Sequence, residues 1–213
     1  MSKIFYASQE KYISSFRKKQ DEIINEMEDF AKENKVPILS WQSAEFIEQL
    51  VLMIKPVRVL EIGTAIAYTA IRIARNLKKN SRLHTVELSE ENIERAKDFI
   101  YRAGMDEKIK LIEGDALNVM PRFKKKYDLI FLDSDKEDYK RLFDYSMVLL
   151  KKGGVIVVDN LLWHGYAAAT KVPADYKATT QYIREFNEIF IEQPNLCSTI
   201  LPVGDGLGLG VKV

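Results

Sequence analysis

The stretch Val57-Arg58-Val59-Leu60-Glu61-Ile62-Gly63-Thr64, continuing through Ala65-Ile66-Ala67-Tyr68-Thr69, constrains this chain more than any other. Val57–Ile62 is an apolar, β-branched run that stops at an acid and a single glycine, and helical patterning follows. A buried strand that turns tightly into a helix makes the first crossover of a doubly wound α/β sheet. Ligands of such sheets bind beyond the carboxyl ends of the strands, which puts Glu61 and Gly63 beside the expected site.

The alternation continues downstream. Arg82–Glu87, Lys108–Ile112, Tyr127–Leu132 and Val155–Val158 read as further strands. The intervening helices are Tyr68–Leu77, a segment capped by Ser89 and running to Ala103, a short piece after Asp115-Ala116, and Glu137–Leu150. Gly153-Gly154 reads as the turn into the fifth strand. A helix over Tyr176–Phe190 precedes two last strands, Cys197–Val203 and Leu207–Val213, joined by the hairpin-type turn Gly204-Asp205-Gly206. The sum is an α/β fold: a mainly parallel seven-stranded sheet with helices on both faces and an antiparallel C-terminal strand. Ahead of it, Ser8–Asn34 reads as one helix with Tyr12, Phe16, Ile23, Ile24, Met27 and Phe30 on its apolar stripe. Pro37 ends that region, and Ser40 caps a second helix to Ile54. One domain over residues 1–213 is expected, with an N-terminal helical segment (1–55) and an α/β core (56–213).

Bulk properties exclude more than they assign. A net charge of +1 and a charged fraction of 30% argue against a chain coated in basic residues, though a local patch is compatible with them. Cys197 is the sole cysteine, which leaves no internal disulfide or thiolate metal cluster. It reads as a small buried hydrophobe, and His84 as a satisfied core or edge histidine. Met1–Phe5 contains no apolar run long enough for a signal peptide, and no stretch reaches the length of a membrane span. A cytoplasmic location, away from membranes, is the expectation.

The strands end in order on Glu61, Glu87, Glu113-Gly114-Asp115, Asp133 and Asp159. One acid at a strand–loop junction means little, but this succession along one rim favours a site. A dinucleotide needs a glycine-rich first turn facing its pyrophosphate. Here the turn has one glycine and acids around it, which disfavours a nicotinamide-dependent dehydrogenase. S-adenosylmethionine has a ribose and an adenine but no phosphate, and carries a sulfonium cation that an acidic rim tolerates. A binding module without catalysis would have no need of the polar cluster at Asp133, Lys136, Asp159 and Asn160.

Glu61-Ile-Gly-Thr, Glu87, Gly114-Asp115-Ala116, Asp133-x-x-Lys136, Asp159-Asn160 and Gly204-Asp-Gly206 together resemble the cation-dependent, catechol-type O-methyltransferase family, from about Val36 to Val213. The resemblance implies a Rossmann-like class I methyltransferase fold, S-adenosyl-L-methionine as cofactor, and Mg²⁺ or Mn²⁺. Val36-Pro37-Ile38, Glu61–Ile66 and Ile200–Gly206 are most similar to the branch that methylates 5-hydroxyuridine at the wobble position of tRNA. That acceptor is therefore the expectation, with a small hydroxylated aromatic of catechol type as the alternative. Departures from the family pattern are Ala67 for Gly, Thr69 for Ser, and Val172–Ala178 where the tRNA branch is rich in arginine. Arg17, Lys18, Lys19, Lys124, Lys125, Lys126 and Lys171 are the candidates for a tRNA-facing patch. The resemblance also implies a homodimer, which the stripe of the first helix could serve.

By resemblance, Asp133, Asp159 and Asn160 bind the metal, and their chemistry agrees: two carboxylates and an amide carbonyl are hard oxygen donors suited to Mg²⁺ or Mn²⁺. Lys136 matches the family's general base, a role that a nearby cation would favour by lowering its pKa. For the cofactor, Glu87 would take the ribose hydroxyls and Asp115 with Ala116 the adenine. Gly63 would admit the backbone approach, Glu61 and Thr69 would line the amino-acid end, and Leu39 and Asp133 would complete the contact. Trp163 and Tyr166 are candidates for a wall against the acceptor, with His164 a weaker one.

Overall fold

A computed structural model describes residues 6–213; the leader reading at Met1–Phe5 lies outside the described residues. Strand β1 (Arg58–Ile62) lies near the middle of a seven-stranded sheet, with β2 (Arg82–Glu87) and β3 (Ile109–Glu113) to one side. On the other side stand β4 (Tyr127–Leu132), β5 (Leu150–Val158), β7 (Leu207–Lys212) and β6 (Leu196–Leu201). The order is β3-β2-β1-β4-β5-β7-β6. All neighbours are parallel as far as β5, and β7 runs antiparallel to both β5 and β6.

The period of two along each strand divides the apolar residues into two cores. Val59, Leu129, Phe131, Val155 and Val157 face helices α2 (Glu22–Asn34), α3 (Trp41–Ile54), α4 (Tyr68–Asn76) and α5 (Glu90–Arg102). Leu60, Ile62, Ile130, Leu132, Ile156 and Val158 face α7 (Tyr139–Leu149) and α8 (Lys177–Glu192), with the short α6 (Ala116–Val119) at their edge. Ser40 and Ser89 cap α3 and α5 as their side chains predict, accepting from the backbone N–H of Ser43 and Asn92.

Four expectations change. The predicted first helix is two, α1 (Ala7–Ser14) and α2, because Asp21 caps a fresh start by accepting from Ile24 N. Its stripe divides accordingly: Ile24 and Met27 are buried in the core, while Tyr12 and Phe16 are exposed and stacked edge to face. Gly153-Gly154 do not precede the fifth strand but form an irregularity inside it. Leu150 already pairs with Tyr127, and regular pairing resumes at Leu129 with Val155. Cys197 is exposed, because it lies on the edge strand β6 and its neighbour Leu196 takes the inward position. Among the described residues no helix is long and apolar enough to cross a membrane.

The linker between α2 and α3 reaches the carboxyl rim and is held there by a buried polar network. Arg72 of α4, almost wholly buried, forms a bidentate pair with Glu48 of α3 (2.8 and 3.1 Å). It also donates to the Tyr68 hydroxyl, which donates to Glu28 of α2 (2.6 Å each).

Candidate active site

The strand order reverses between β1 and β4, and the crevice beyond their carboxyl ends is where a doubly wound sheet receives its ligand. The register draws the rim together. Ile62 stands beside Leu132 and Leu132 beside Val158, so Gly63, Asp133 and Asp159 emerge at adjacent positions. Backbone bonds continue past the strands: Asp133 N–H donates to Ile62 O (2.9 Å) and Asp159 N–H to Leu132 O (3.1 Å). Gly63 has φ +93°, and a Cβ there would lie 1.7 Å from Asp133 O, so only glycine allows this approach.

A cavity of about 800 Å³ opens at this point. Of the predicted residues, Gly63, Glu87, Asp115, Ala116, Asp133, Lys136, Asp159 and Asn160 line it, together with Trp163 and His164. Glu61, Thr69, Leu39 and the wall candidate Tyr166 do not. Leu39 is packed in the core, and the cavity wall there comes from Pro37 and Ile38. Thr69 is nearly buried in the first turn of α4. Glu61 is not at a strand end but one residue inside β1, and its side chain is fully buried beneath the turn. Glu113 leaves the rim and pairs with Lys97 (2.6 Å) at the surface.

The carboxylates on the β2–β3 side are satisfied by the protein itself. Glu87 accepts from the backbone N–H of Ala65 (2.8 Å), Leu88 (3.0 Å) and Ser89 (2.9 Å). It thereby fixes the turn after β1, in which Ala65 and Ala67 hold left-handed φ of 45° and 69°. Asp115 caps α6, accepting from Leu117 N (2.8 Å) and from Asn118 Nδ2 (2.8 Å). Glu61 Oε2 accepts from Thr85 Oγ1 (2.5 Å), its partner across β2, while Oε1 is buried with no partner. Burial pushes the Glu61 carboxyl up to about 8 against the Thr85 hydrogen bond, with smaller contributions from the charges of Asp133 and Glu87.

Asp159 is buried too, and its Oδ1 has no partner. Burial raises its carboxyl well above the usual range, and the charge of Asp133 raises it further. Lys136 Nζ donates to Asp133 Oδ1 (3.1 Å), Ser134 O (2.9 Å) and the Tyr139 hydroxyl (2.8 Å). The fully buried Tyr139 hydroxyl donates in turn to Asp159 O (3.1 Å). Asn160 takes a left-handed φ of 62°, as do Trp163 (47°) and His164 (54°) in the 3-10 segment Trp163–Ala168 that follows. Arg184 of α8 pins that segment, donating to the carbonyls of Tyr166 and Ala167 (3.0 Å each) and of Ala169. Trp163, His164, Tyr166 and Tyr176 form one aromatic cluster, with centroids 5.0–6.4 Å apart.

Residue patterning missed Tyr139, Thr85 and Arg184, which act through hydrogen bonds that no spacing announces. Among the described residues no three His, Cys, Asp or Glu side chains gather as a metal cluster. The set at the cavity is two carboxylates and an amide. Its orphaned, buried Asp159 oxygen next to Asp133 fits a divalent cation, the partner that relieves both the missing contact and the like-charge repulsion.

The family model described as O-methyltransferase matches residues 13–213. The caffeoyl-CoA O-methyltransferase of Medicago sativa is 33% identical over 182 residues, spanning 79% of this chain and 72% of the relative. A Staphylococcus aureus structure with a provisional caffeoyl-CoA O-methyltransferase assignment superposes with a TM-score of 0.90 at 30% identity, covering 97% of this chain and 100% of the other. The O-methyltransferase TomG of Streptomyces achromogenes, in complex with S-adenosylmethionine, gives a TM-score of 0.84 at 27% identity and covers 97% of this chain and 96% of its own.

Proposed function

The chain belongs to the O-methyltransferase family and is an S-adenosylmethionine-dependent O-methyltransferase; on that premise we propose that it is divalent-cation-dependent and methylates a small aromatic with two adjacent oxygens. The observation that carries the reading is Asp159: buried, unpartnered at Oδ1, and beside Asp133 and Asn160 on the cavity wall. Asp133, Asp159 and Asn160 would hold the cation, which when bound supplies Lewis acidity to an acceptor hydroxyl.

The remaining roles belong to the chain's own groups. Gly63 admits the cofactor close to the β1–β4 junction, and Glu87 and Asp115 offer their free lone pairs to the ribose and the adenine. Glu61, buried beneath the turn and outside the cavity lining, braces β1 against β2 through Thr85. Transfer forms the O–CH₃ bond as the S–CH₃ bond breaks, with the acceptor hydroxyl releasing its proton to solvent, so alignment of three atoms supplies much of the acceleration. All three donor positions of Lys136 are engaged, so it holds Asp133 in place and takes a proton only after giving one up. Trp163 and His164, the members of the aromatic cluster that line the cavity, offer a wall for a flat acceptor.

The 5-hydroxyuridine of tRNA presents a similar pair of oxygens and is the competing acceptor. Placement of charge supports the smaller one. Lys124–Lys126 precede β4 and so lie at the opposite rim, where Lys126 donates to Val148 O and accepts through its own carbonyl from Arg58. Arg17 is paired with Glu28 (2.6 Å). Glu87, Asp115, Asp133, Asp135, Glu137, Asp138 and Asp159 line the cavity against the single lysine Lys136, a poor field for phosphates. Incubation with labelled S-adenosylmethionine, Mg²⁺ and either a catechol or hydroxyuridine-containing tRNA tests the proposal. Label in the catechol, lost on chelation, is expected; label in the tRNA alone would overturn the acceptor assignment.

A further inference from the structure

The turn Gly204-Asp205-Gly206 has no part in the reaction as described, yet it is built against the acceptor side of the site. Leu161 N–H donates to Gly206 O and Leu162 N–H to Asp205 O (2.9 Å each), locking the turn onto the residues that follow Asn160. Gly206 has φ +89°, and a Cβ there would lie 2.5 Å from Leu162 Cγ, so the approach admits no side chain. The Asp205 carboxylate then faces the loop with both oxygens. Oδ1 accepts from His164 N–H (2.6 Å), inside the left-handed segment, and Oδ2 faces Asn160 Nδ2 at 3.4 Å, with His164 Nδ1 at 3.7 Å.

A carboxamide is nearly symmetric in shape but not in chemistry: one end accepts, the other donates. A carboxylate can only accept, so its presence beside Asn160 draws the NH₂ group to itself and turns Oδ1 the other way. Asn160 lines the cavity next to Asp159. The reverse orientation would aim two N–H bonds at a cation. We propose that Asp205 is a positioning residue that selects the amide orientation of Asn160 and so presents its oxygen as a metal ligand. This rests on the cation-dependent reading above and goes beyond it. Neighbours that orient a ligand are worth about ten- to a hundredfold in metal affinity in other sites.

The test is Mn²⁺ titration of the full chain, free ion being read by electron paramagnetic resonance, on a double-mutant cycle. Asp205→Asn is expected to weaken Mn²⁺ binding about ten- to a hundredfold, with S-adenosylmethionine affinity by calorimetry changing less than about twofold. In Asn160→Asp both ends of the planar group are oxygens, so orientation no longer matters and Mn²⁺ binding is retained. Adding Asp205→Asn to that variant is expected to cost nothing, or to improve binding by removing one of two facing carboxylates. An equal loss in both backgrounds would make Asp205 a structural strut alone and overturn the proposal. So would unchanged affinity in Asp205→Asn, or loss of binding in Asn160→Asp itself. A wild-type chain that binds no Mn²⁺ would overturn the cation-dependent reading together with the inference; a wild-type chain that binds it confines any failure to Asp205.

Discussion

The two halves of the rim treat their carboxylates in opposite ways. Beside β2 and β3, Glu87 and Asp115 are already bonded to backbone N–H groups, and each fixes the loop from which it projects. Beside β4 and β5, Asp159 is buried with an unpartnered oxygen and Asp133 is restrained by Lys136. The first half is a finished mould. The second leaves a buried oxygen at the cavity without a partner, as expected of a region completed by what binds there. On the proposed reading, the contrast would separate cofactor recognition from chemistry within one cavity.

The strongest way to break this comparison is Asp159→Ala. Methyl transfer should fall by about a thousandfold or more, as for loss of a metal ligand. S-adenosylmethionine affinity, measured by calorimetry, should remain within about twofold, and the unliganded protein should melt no lower, since an unpaired buried carboxylate has gone. Cofactor affinity lost in parallel with activity would show that the halves are not separate. Gly63→Ala strikes the seam between them: its Cβ would collide with Asp133 O, and destabilisation of about 3 kcal/mol is expected in urea unfolding, with cofactor binding lost. Glu87→Gln should weaken cofactor binding about tenfold, and lower stability by about 1.5 kcal/mol through the backbone bonds it caps. Mn²⁺ affinity should be untouched, and a fall there would join the halves again.

The last prediction concerns the pH dependence of stability at Glu61. Folding holds its carboxyl protonated up to about 8, whereas the unfolded chain releases that proton near its ordinary value of 4.5. The native state therefore binds the extra proton across that interval. The contribution is fully present below it, and stability should decline as pH rises through it. In Glu61→Gln the thermal midpoint of the unliganded protein should fall less steeply between about pH 5 and pH 8. An unchanged slope would show that Glu61 is not the titrating group.

Much of this division was legible beforehand, for identifiable reasons. Tyr127–Leu132 carries an apolar run that a sheet covered on both faces explains, and its ends and those of Arg82–Glu87 coincide with the bounds that the sequence predicts. Glu87, Asp115, Asp133, Asp159 and Asn160 stood out because acids recur where those runs stop, and all line one cavity. Glu61 looked equivalent but is not, because a one-residue shift along a strand reverses the direction of a side chain. The resemblance places Leu39 at the cofactor, whereas Pro37 and Ile38 line the cavity and Leu39 packs in the core; which linker residue faces inward depends on how α2 and α3 dock. Asp205 reads as a turn residue alone in the sequence, because its partners, Asn160 and His164, lie more than 40 residues away.

The place of β7 has a consequence for synthesis. It is the latest-made strand of the sheet, yet it fills the slot between β5 and β6 rather than an edge. A nascent chain carrying β1 to β5 can pair its parallel strands, but the flank of β5 stays open until Leu207–Lys212 has left the ribosome. For that period the exposed edge belongs to the strand that leads into Asp159, and it is a template for wrong pairing. The mould for the cofactor can thus exist before the half that acts on the acceptor. A stalled or clipped chain should be able to hold its cofactor pocket and still aggregate through β5.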